Sequence, residues 1–579
     1  MAETGDGAQE RVELRYGPYD SDGQTELPFR ILFVGDFTLQ ADETPVGDRR
    51  LTEFDREQLA AIMQGLGLSL EIAADHGGKE AGSRLRLNFS AIEDFSPDAV
   101  AAQVPAIRSL QEARRELIAL RTKEANPDGL RKALAELASR SGGTIDPAAR
   151  GKGAAGGTSG IRADIDRMIA GIDRRVAARI RSVIGDDRFL ALEAAWRSLA
   201  FVAERTAPER NVKLCLLSIS REELLADFED SPEVGKSGLY RQINGTGFGP
   251  SGGQPISAVI CGYEFGPGSA DVKLAQYCAS VGSLVHAPFI AGASPAMFGI
   301  ASFADLPADI DQAFRGTAHA KWNVFRKSDD ARHFALVLPH FLLRHPPEHG
   351  AAAYDKAGFL WGNAAYALAV DLIERFVQNG WRMDRNPREG AQAADDPART
   401  TRNAFPITDA LVSDRKERAL AEEGFIVLAR RRADEYATFF SAQSVRHRKA
   451  RSANLMETVT DSLYFTLMGD RLAHYVKVLQ LESASSRSDP AEHETELNNW
   501  IRQYVSPGEE ASRSSGRERP LRKAEIKVSE VTGEPGWFSF DVAVQPHFRY
   551  MGATLTLVAS GKIDRLRDRQ PAAQTSEGQ

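Results

Sequence analysis

LPFRILFVGDF, residues 27–37, predicts a buried β-strand close to the start of the chain. The run from Phe29 to Val34 is continuously apolar apart from Arg30, which is typical of a strand inside a protein core. Gly35-Asp36 follows as a turn signal. The first half of the chain is therefore expected to contain a β-sheet, and this strand is the point from which its fold can be read.

The segments on either side of this strand complete a small α+β unit. RVELRY, residues 11–16, alternates apolar and polar positions, so Val12, Leu14 and Tyr16 would share one face of an earlier strand. Residues 96–123 predict a helix that begins at Ser96, with Pro97 in its first turn and a possible kink at Pro105. A second helix follows Asn126-Pro127. We assign this unit, with its N-terminal strand, to residues 1–145.

The stretch ARGKGAAGGTSGIR, residues 149–162, predicts a flexible linker. It holds four glycines within seven residues and no large apolar side chain before Ile161, so it cannot bury enough surface to offset its ordering entropy. We place the linker at 146–160. At about 5–6 Å per square root of the residue number, such a segment spans roughly 20 Å.

Strands and helices alternate beyond the linker. VKLCLLSIS (212–220) and ISAVICGYEF (256–265) are each followed by a helical segment, and FALVLPHFLL (334–343) predicts a further strand. This alternation favours a mixed or partly parallel sheet flanked by helices. The fold class is therefore α/β and α+β, with a small α+β unit joined to a large mixed α/β body at 161–520.

The C-terminal region, 521–579, changes to β-structure. LRKAEIKVSEV (521–531) and WFSFDVAVQPHF (537–548) alternate on either side of a TGEPG turn, and ATLTLVAS (553–560) is one more strand. A two-stranded hairpin is marginal alone, so its open edges are expected to accept further strands. Prolines at Ile526 and Val528 are expected to remove donors from its ladder. The candidate residues for strand exchange are Val12, Leu14, Tyr16, Ala524, Ile526, Val528, Val542, Val544, Leu555 and Leu557.

Composition excludes several classes of protein. The net charge of −8 and pI near 5.9 argue against a nucleic-acid binder, which usually carries a basic bias. The three cysteines, Cys215, Cys261 and Cys278, lack metal-binding spacing and are expected to be buried free thiols. The polar start MAETGDGAQE and the absence of eighteen consecutive apolar residues predict a soluble, cytoplasmic protein without membrane insertion.

Motifs that could carry chemistry are weak. GxGxxG occurs at Gly247, Gly249 and Gly252, but the segment before it looks helical, whereas a dinucleotide site needs a strand there. The histidines between 333 and 349 lack metal-ligand spacing, and the basic run RHRKARS (446–452) is typical of a solvated loop. No catalytic, cofactor or metal site is therefore predicted, and a nucleotide-binding enzyme using Gly247–Gly252 is a minor alternative.

Ordered sequence blocks resemble the two subunits of the type VI secretion contractile sheath. The first half resembles the small subunit in ELPFRILFVGDF and LRLNFSAIEDFSPDAVAAQVPAIRSLQEAR. The second half is similar to the large subunit over most of its length. The matching blocks include FLALEAAWRSLAF, VKLCLLSISREELLADF, VGSLVHAPFIAGASPAMFG, ITDALVSDRKERALAEEGF and ELNNWIRQYV.

The resemblance implies a structural protomer, not an enzyme, in which the linker fuses two subunits that are separate chains elsewhere in the family. The N-terminal strand of the small subunit and the C-terminal strand of the large one would interlace between protomers of a helical polymer that contracts around an inner tube. The implied partners are further copies of the chain, an inner tube protein and a baseplate, with a AAA+ disassembly ATPase as a further candidate. A phage-tail-like or extracellular contractile particle is the alternative setting.

Overall fold

The computed structural model describes most of the chain. The described residues are 27–73, 84–122, 127–140, 158–207, 210–248, 254–345, 358–380, 383, 407–430, 437–447, 461–483, 490–506, 519, 521–530, 538–546 and 557–563. The strand predicted at 11–16 and residues 146–157 of the predicted linker lie outside them. Residues 158–160, the rest of that linker, belong to a helix.

Fifteen α-helices are assigned within the described residues. They are α1 (Leu59–Leu66), α2 (Pro97–Gln103), α3 (Pro105–Thr122), α4 (Pro127–Arg140), α5 (Thr158–Ile184), α6 (Asp187–Arg205), α7 (Arg221–Glu229), α8 (Gly238–Phe248), α9 (Ser269–Val285), α10 (Ile310–Ala313), α11 (Ala320–Phe325), α12 (Ala364–Asn379), α13 (Asp414–Glu422), α14 (Leu463–Ser483) and α15 (Pro490–Ile501).

The same residues contain fifteen β-strands. They are β1 (Phe29–Gly35), β2 (Thr52–Phe54), β3 (Ser69–Ala73), β4 (Arg84–Asn88), β5 (Val212–Ser218), β6 (Ala258–Phe265), β7 (Phe289–Ala293), β8 (Phe334–Leu338), β9 (Phe341–Arg344), β10 (Leu360–Gly362), β11 (Phe425–Arg430), β12 (Ala437–Phe439), β13 (Leu521–Glu530), β14 (Phe538–Pro546) and β15 (Leu557–Ile563).

The two halves of the chain share one eight-stranded mixed sheet. Its order is β12-β11-β8-β7-β6-β1-β5-β2, so β1 from the first half lies between two strands of the second half. β1 runs parallel to both neighbours, with Phe29 opposite Val212 and Ile31 opposite Ala258. Because an interior strand bonds along both edges, the first half is part of the same core and not a separate body attached by a linker.

The central position of β1 explains its composition. All seven of its residues are buried. The Phe33 ring contacts Phe54 at 5.7 Å and stacks on Tyr366 of α12 at 5.6 Å. Arg30 is the polar exception in this run, and its guanidinium donates to Glu53 Oε1 at 3.1 Å and to the Gln254 carbonyl at 3.0 Å. The strand is consequently anchored on both faces of the sheet.

Helices cover both faces of the sheet. Buried side chains of α6 and α12 pack on the face that presents Ile31 and Phe33, and those of α7, α8 and α9 pack on the face that presents Leu32 and Val34. Parallel strands covered on both faces are the arrangement expected of an α/β protein. The α/β prediction is confirmed for the body.

A helical bundle joins the ends of the two halves. Buried side chains of α3, α4 and α5 form a hydrophobic cluster of their own. Arg114 of α3 pairs with Asp173 of α5 at 2.6 Å. At Pro105 the predicted kink is a complete break, because Val104 is extended and Pro105 starts α3. Proline is well placed there, since the first turn of a helix does not need its amide hydrogen.

Candidate assembly site

The C-terminal strands form a separate three-stranded antiparallel sheet. Its order is β13-β14-β15, so the C-terminal strand of the single chain pairs with its own hairpin, and Leu557 lies opposite Val544. Predicted exchange residues Val12, Leu14, Tyr16 and Leu555 lie outside the described residues. Their role in exchange stays a prediction.

The other predicted residues lie on one face of this sheet. Ile526 is opposite Val542, and Ala524 is opposite Val544. Ile526, Val528, Val542 and Val544 are buried, and Ala524 is partly buried against the same cluster. These side chains therefore form the core beneath the sheet, so any exchange at these positions would act through main-chain hydrogen bonds.

Helices α14 and α15 support this face. Tyr475 of α14 stacks on Trp500 of α15 with ring centroids 5.6 Å apart, and Trp500 packs edge-on against Tyr504 at 5.3 Å. Helix α15 packs against β13, whereas α14 packs against β15. The two edges of the sheet thus have different helices beside them.

The outer edge of β13 is covered, which corrects the prediction of an open hairpin edge there. Asn498 of α15 forms a two-way amide pair with Ile526, accepting from its N–H at 3.0 Å and donating to its carbonyl at 2.6 Å. Glu494 accepts from the Val528 N–H at 3.0 Å, and the Ser506 N–H donates to the Leu521 carbonyl at 2.8 Å. The Ile526 and Val528 amides are thus bound by α15 side chains, and the prediction that they are ladder donors is wrong.

The first described residue lies beside this same region. The Leu27 N–H donates to Tyr475 Oη at 3.0 Å, and Arg471 of α14 donates to the Leu27 carbonyl at 2.6 Å. The Arg471 guanidinium also lies over the ring of Phe376 in α12, 4.9 Å from its centroid. Helix α14 therefore holds the end of the N-terminal segment between the C-terminal sheet and the body.

A buried ionisable cluster joins α14 to the body. Asp470 Oδ1 lies 3.4 Å from His286 Nδ1 and 3.3 Å from His333 Nε2. The His474 Nε2–H donates to the Val285 carbonyl at 2.9 Å, and burial lowers the pKa of His474 to about 3. Burial also lowers the pKa of His286, whereas the two histidines beside Asp470 outweigh its own burial and lower its pKa. His474 is consequently neutral at physiological pH.

Polar contacts fix the first half to the second outside the sheet. The Arg49 guanidinium donates two hydrogen bonds to the Glu223 carboxylate, at 2.9 and 3.0 Å. Hydrogen bonding to Arg49 is the largest cause that lowers the pKa of Glu223 to about 2. Trp196 Nε1–H donates to the Phe37 carbonyl at 2.8 Å. Gly238 sits against Gly47, where an added Cβ would lie 2.5 Å from the Gly47 nitrogen. The interface therefore depends on close backbone approach as well as on charge.

Within the described residues, the remaining motifs do not form a catalytic constellation. Gly247 lies inside α8, so a helix precedes the rest of the glycine motif, as the sequence indicates, and Gly249 and Gly252 lie outside the described residues. His340 bridges Asp409 and Glu264, each at 2.7 Å. Although burial opposes its charge, these two partners raise the pKa of His340 to about 10, typical of a structural ion-pair network.

Two features, a metal-binding cluster and a membrane-spanning helix, are absent from the described ranges. No group of three or more His, Cys, Asp or Glu side chains there is placed to hold a metal ion. No helix among them has the length and apolarity needed to cross a membrane. The three cysteines are free and buried, which confirms that expectation.

Three family models match successive parts of the chain. Residues 6–143 match the VipA family of the type VI secretion system. Residues 166–446 match the VipB tail sheath N-terminal domain, and residues 452–563 match the VipB tail sheath gpW/gp25-like domain. The boundaries fall close to the gap between α4 and α5 and to the start of α14.

Individual proteins give a consistent result. The sheath protein TssC1 of the Pseudomonas aeruginosa type VI secretion system is 28% identical over 437 residues, which cover 70% of this chain and 86% of that protein. A chain in the cryo-EM structure of the anti-feeding prophage baseplate matches with 10% identity and a TM-score of 0.32 over 64% of this chain and 77% of that one. That score is too low to establish a shared fold.

Proposed function

Because this chain belongs to the contractile-sheath family of the type VI secretion system and carries both of its subunit types, we propose that one polypeptide supplies the whole repeating unit of the sheath. The observation that carries this proposal is the position of β1. A strand from the VipA-like half completes the central sheet of the VipB-like half, so neither half has a finished core without the other.

The covalent connection has a physical consequence for assembly. Joining two partners makes their association intramolecular, with an effective concentration in the millimolar range for a short connection. It also sets the ratio of the two halves at one to one. We propose that the fusion removes a bimolecular step before polymerisation.

Strand exchange at the C-terminal sheet would hold the polymer together. In the single chain β15 occupies the edge of β14, and exchange would replace it there with the same strand from a neighbouring copy. Each main-chain hydrogen bond contributes about 0.5–1.5 kcal/mol net, so a six-residue strand gives several kcal/mol before ordering costs. While these strands stay paired, the bodies of the protomers would rotate and slide during contraction.

The setting in the cell follows from the family. We propose a cytoplasmic sheath that surrounds an inner tube, docks on a baseplate and contracts by switching between two packings, without consuming nucleotide in that step. A AAA+ ATPase that recycles the contracted sheath is a further proposed partner. Co-purification of an inner tube protein and a baseplate would support this setting over an extracellular contractile particle.

Electron microscopy tests the proposal. The purified chain is expected to form hollow tubes with cogwheel cross-sections, and deletion of residues 10–16 should leave a folded chain that does not assemble. Circular dichroism and thermal unfolding of the deletion variant check its fold. A parent chain that stays monomeric under conditions that favour polymerisation, or normal tubes from the deletion variant, would contradict the proposal.

A further inference from the structure

We infer that the contact between residues 470–477 of α14 and residues 284–286 at the end of α9 is an acid-sensitive joint, which is closed at neutral pH and opens when buried histidines gain protons. An open joint would let the C-terminal sheet change its position relative to the body. The inference concerns the single folded chain, so it goes beyond the proposed function and can be tested without it.

The two sides of α14 make different kinds of contact. Leu472 and Val476 belong to the apolar cluster beneath the C-terminal sheet. Asp470, His474 and Lys477 follow the spacing i, i+4, i+7, so they lie together on the opposite face of the helix. Helix α14 is therefore held to the C-terminal sheet by apolar packing, and to the end of α9 by ionisable side chains.

The contact on this second face is made residue by residue. Lys477 and His474 donate to the first two carbonyls of residues 284–286, at 3.4 and 2.9 Å. Asp470 Oδ1 lies 3.4 Å from Nδ1 of His286, the third residue of that range. Three successive residues at the end of α9 thus meet three successive positions on one face of α14.

Charged and titratable groups surround this contact from several elements. They are Asp470, His474 and Lys477 from α14, His286 after α9, Asp329, Asp330, Arg332 and His333 before β8, and Arg446 and Asp461 between β12 and α14. His333 Nε2 lies 3.3 Å from Asp470 Oδ1, so two imidazoles contact the same carboxylate oxygen. Helix α15 and the C-terminal sheet pack on the other, apolar face of α14.

A single carboxylate is left to balance positive charge on these imidazoles. Asp329 and Asp461 pair with Arg446 at 2.8 and 3.6 Å, and Asp330 accepts from a serine hydroxyl of α9 at 2.6 Å. Within the described residues, Asp470 is the acid that contacts the histidines. Protonation of two imidazoles beside the ammonium group of α14 would place three positive charges against one negative charge in a buried site, which is unfavourable.

Proton binding favours the open joint. Burial lowers the pKa of His286, and it lowers the pKa of His474 to about 3. A solvent-exposed histidine has a pKa of about 6.5, so the open joint binds more protons than the closed one as pH falls below that value. For His474 alone, a change from pH 7 to pH 5 raises the ratio of open to closed joints roughly 25-fold, and His286 adds to this effect.

The start of α14 would act as the pivot of this opening. Leu463 and Leu467 belong to an apolar cluster of the body, and apolar contacts do not titrate. Glu223 and His340 have pKa values of about 2 and about 10, so they keep their charges between pH 7 and pH 5. Acid is therefore expected to loosen the second half of α14 and to leave the body folded.

A distance measurement between two spin labels tests the joint. One label is attached at Val324→Cys on α11 of the body, where the side chain is 67% exposed, and the other at Lys527→Cys on the C-terminal sheet. The natural cysteines are buried, which limits labelling elsewhere. The labelled chain is mixed with an excess of unlabelled chain, so that the distances within one chain dominate whether or not the chain polymerises. Double electron–electron resonance should show one distance at pH 7 and a second, acid-induced distance at pH 5.

Substitutions that keep the hydrogen bonds but remove the titration provide the decisive comparison. His474→Gln retains a donor for the main-chain carbonyl. His286→Asn retains a donor for Asp470, and asparagine tolerates the backbone φ of 56° at this position. His319→Gln is the matched control, because His319 is also buried and its Nε2 lies 2.8 Å from the Met297 carbonyl, outside the joint.

The double variant, His286→Asn with His474→Gln, should lose the acid-induced distance, and the His319→Gln control should keep it. Circular dichroism at pH 7 checks that each variant is folded. If the double variant does not fold, each single variant should reduce the open fraction at pH 5, and an unchanged fraction in both would overturn the inference. A parent chain with the same distances at both pH values, an acid response that persists in the double variant, or its loss in the control would also overturn it. None of these results would affect the proposed sheath function, whereas a parent chain that opens in acid but forms no tubes would contradict that function alone.

Discussion

Replacing Phe33 with alanine should weaken the association between the two halves of the chain. Phe33 is fully buried in β1, and its ring contacts Phe54 from its own half and Tyr366 from the other. Removing a buried phenylalanine ring costs about 3–5 kcal/mol, because its contacts are lost and a cavity remains. At about 1.4 kcal/mol for each factor of ten, a loss of about 4 kcal/mol raises a dissociation constant roughly a thousandfold.

The assay cuts the covalent connection between the two halves while they remain folded together. A protease site is inserted between residues 146 and 157, the purified chain is cleaved, and the fraction of paired halves is followed on dilution by native mass spectrometry. The cleaved parent should remain paired, because β1 is bonded along both edges. Leu66→Ala, at a side chain 40% exposed on α1 of the same half, is the control and should change little. Equal dissociation of the two variants would refute the shared-sheet reasoning.

Further predictions concern single contacts, each measured by chemical unfolding. Glu223→Gln should lower the free energy of unfolding by about 1 kcal/mol at neutral pH, after solvent screening. Because Arg49 lowers the pKa of Glu223 to about 2, this stabilisation exists above pH 4.5 and is lost as pH falls towards 2. A difference from the parent chain that stays undiminished in acid would contradict this prediction. His340→Gln should lower the free energy of unfolding by about 2 kcal/mol at pH 6. Because the pKa of His340 is raised to about 10, the difference in stability from the parent chain should be lost as pH rises through 10. A difference that stays constant with pH would refute the ion-pair assignment. Gly238→Ala should lower the free energy of unfolding by about 1–3 kcal/mol, because the added Cβ would clash with Gly47. Unchanged stability would mean that the two backbone segments can separate.

Local sequence signals predicted the elements well, because they depend on near neighbours. The apolar run at Phe29–Val34 became β1, and Ser96 caps α2 by accepting from the Ala99 N–H. Alternation at Ile526 and Val542 correctly grouped the side chains of one sheet face. A periodicity of two specifies which residues share a face, and this holds whatever the strand pairs with.

Pairing partners could not be predicted in the same way. Nothing within residues 27–37 indicates that β1 inserts between strands that lie more than 170 residues later in the chain. The block on the β13 edge comes from Asn498, on a helix that precedes the strand and points an amide at it. An edge is open or closed according to its tertiary neighbours, so an alternating strand pattern alone made the hairpin look open on both sides.

The position of β1 also determines how a sheath protomer could carry load. If a neighbouring copy exerted force on residues 11–16, the force would reach the body at Leu27, two residues before β1. At Leu27 the main chain is hydrogen-bonded to Arg471 and Tyr475. Because β1 runs parallel to β5 and β6, force along it would shear both ladders at once instead of opening one bond after another. A strand with bonded neighbours on both edges, such as β1, is therefore better placed to resist contraction forces than an edge strand. A terminal edge strand such as β2 in the same role would peel away from a single partner, so central insertion joins the N-terminal segment to an interior strand of the sheet.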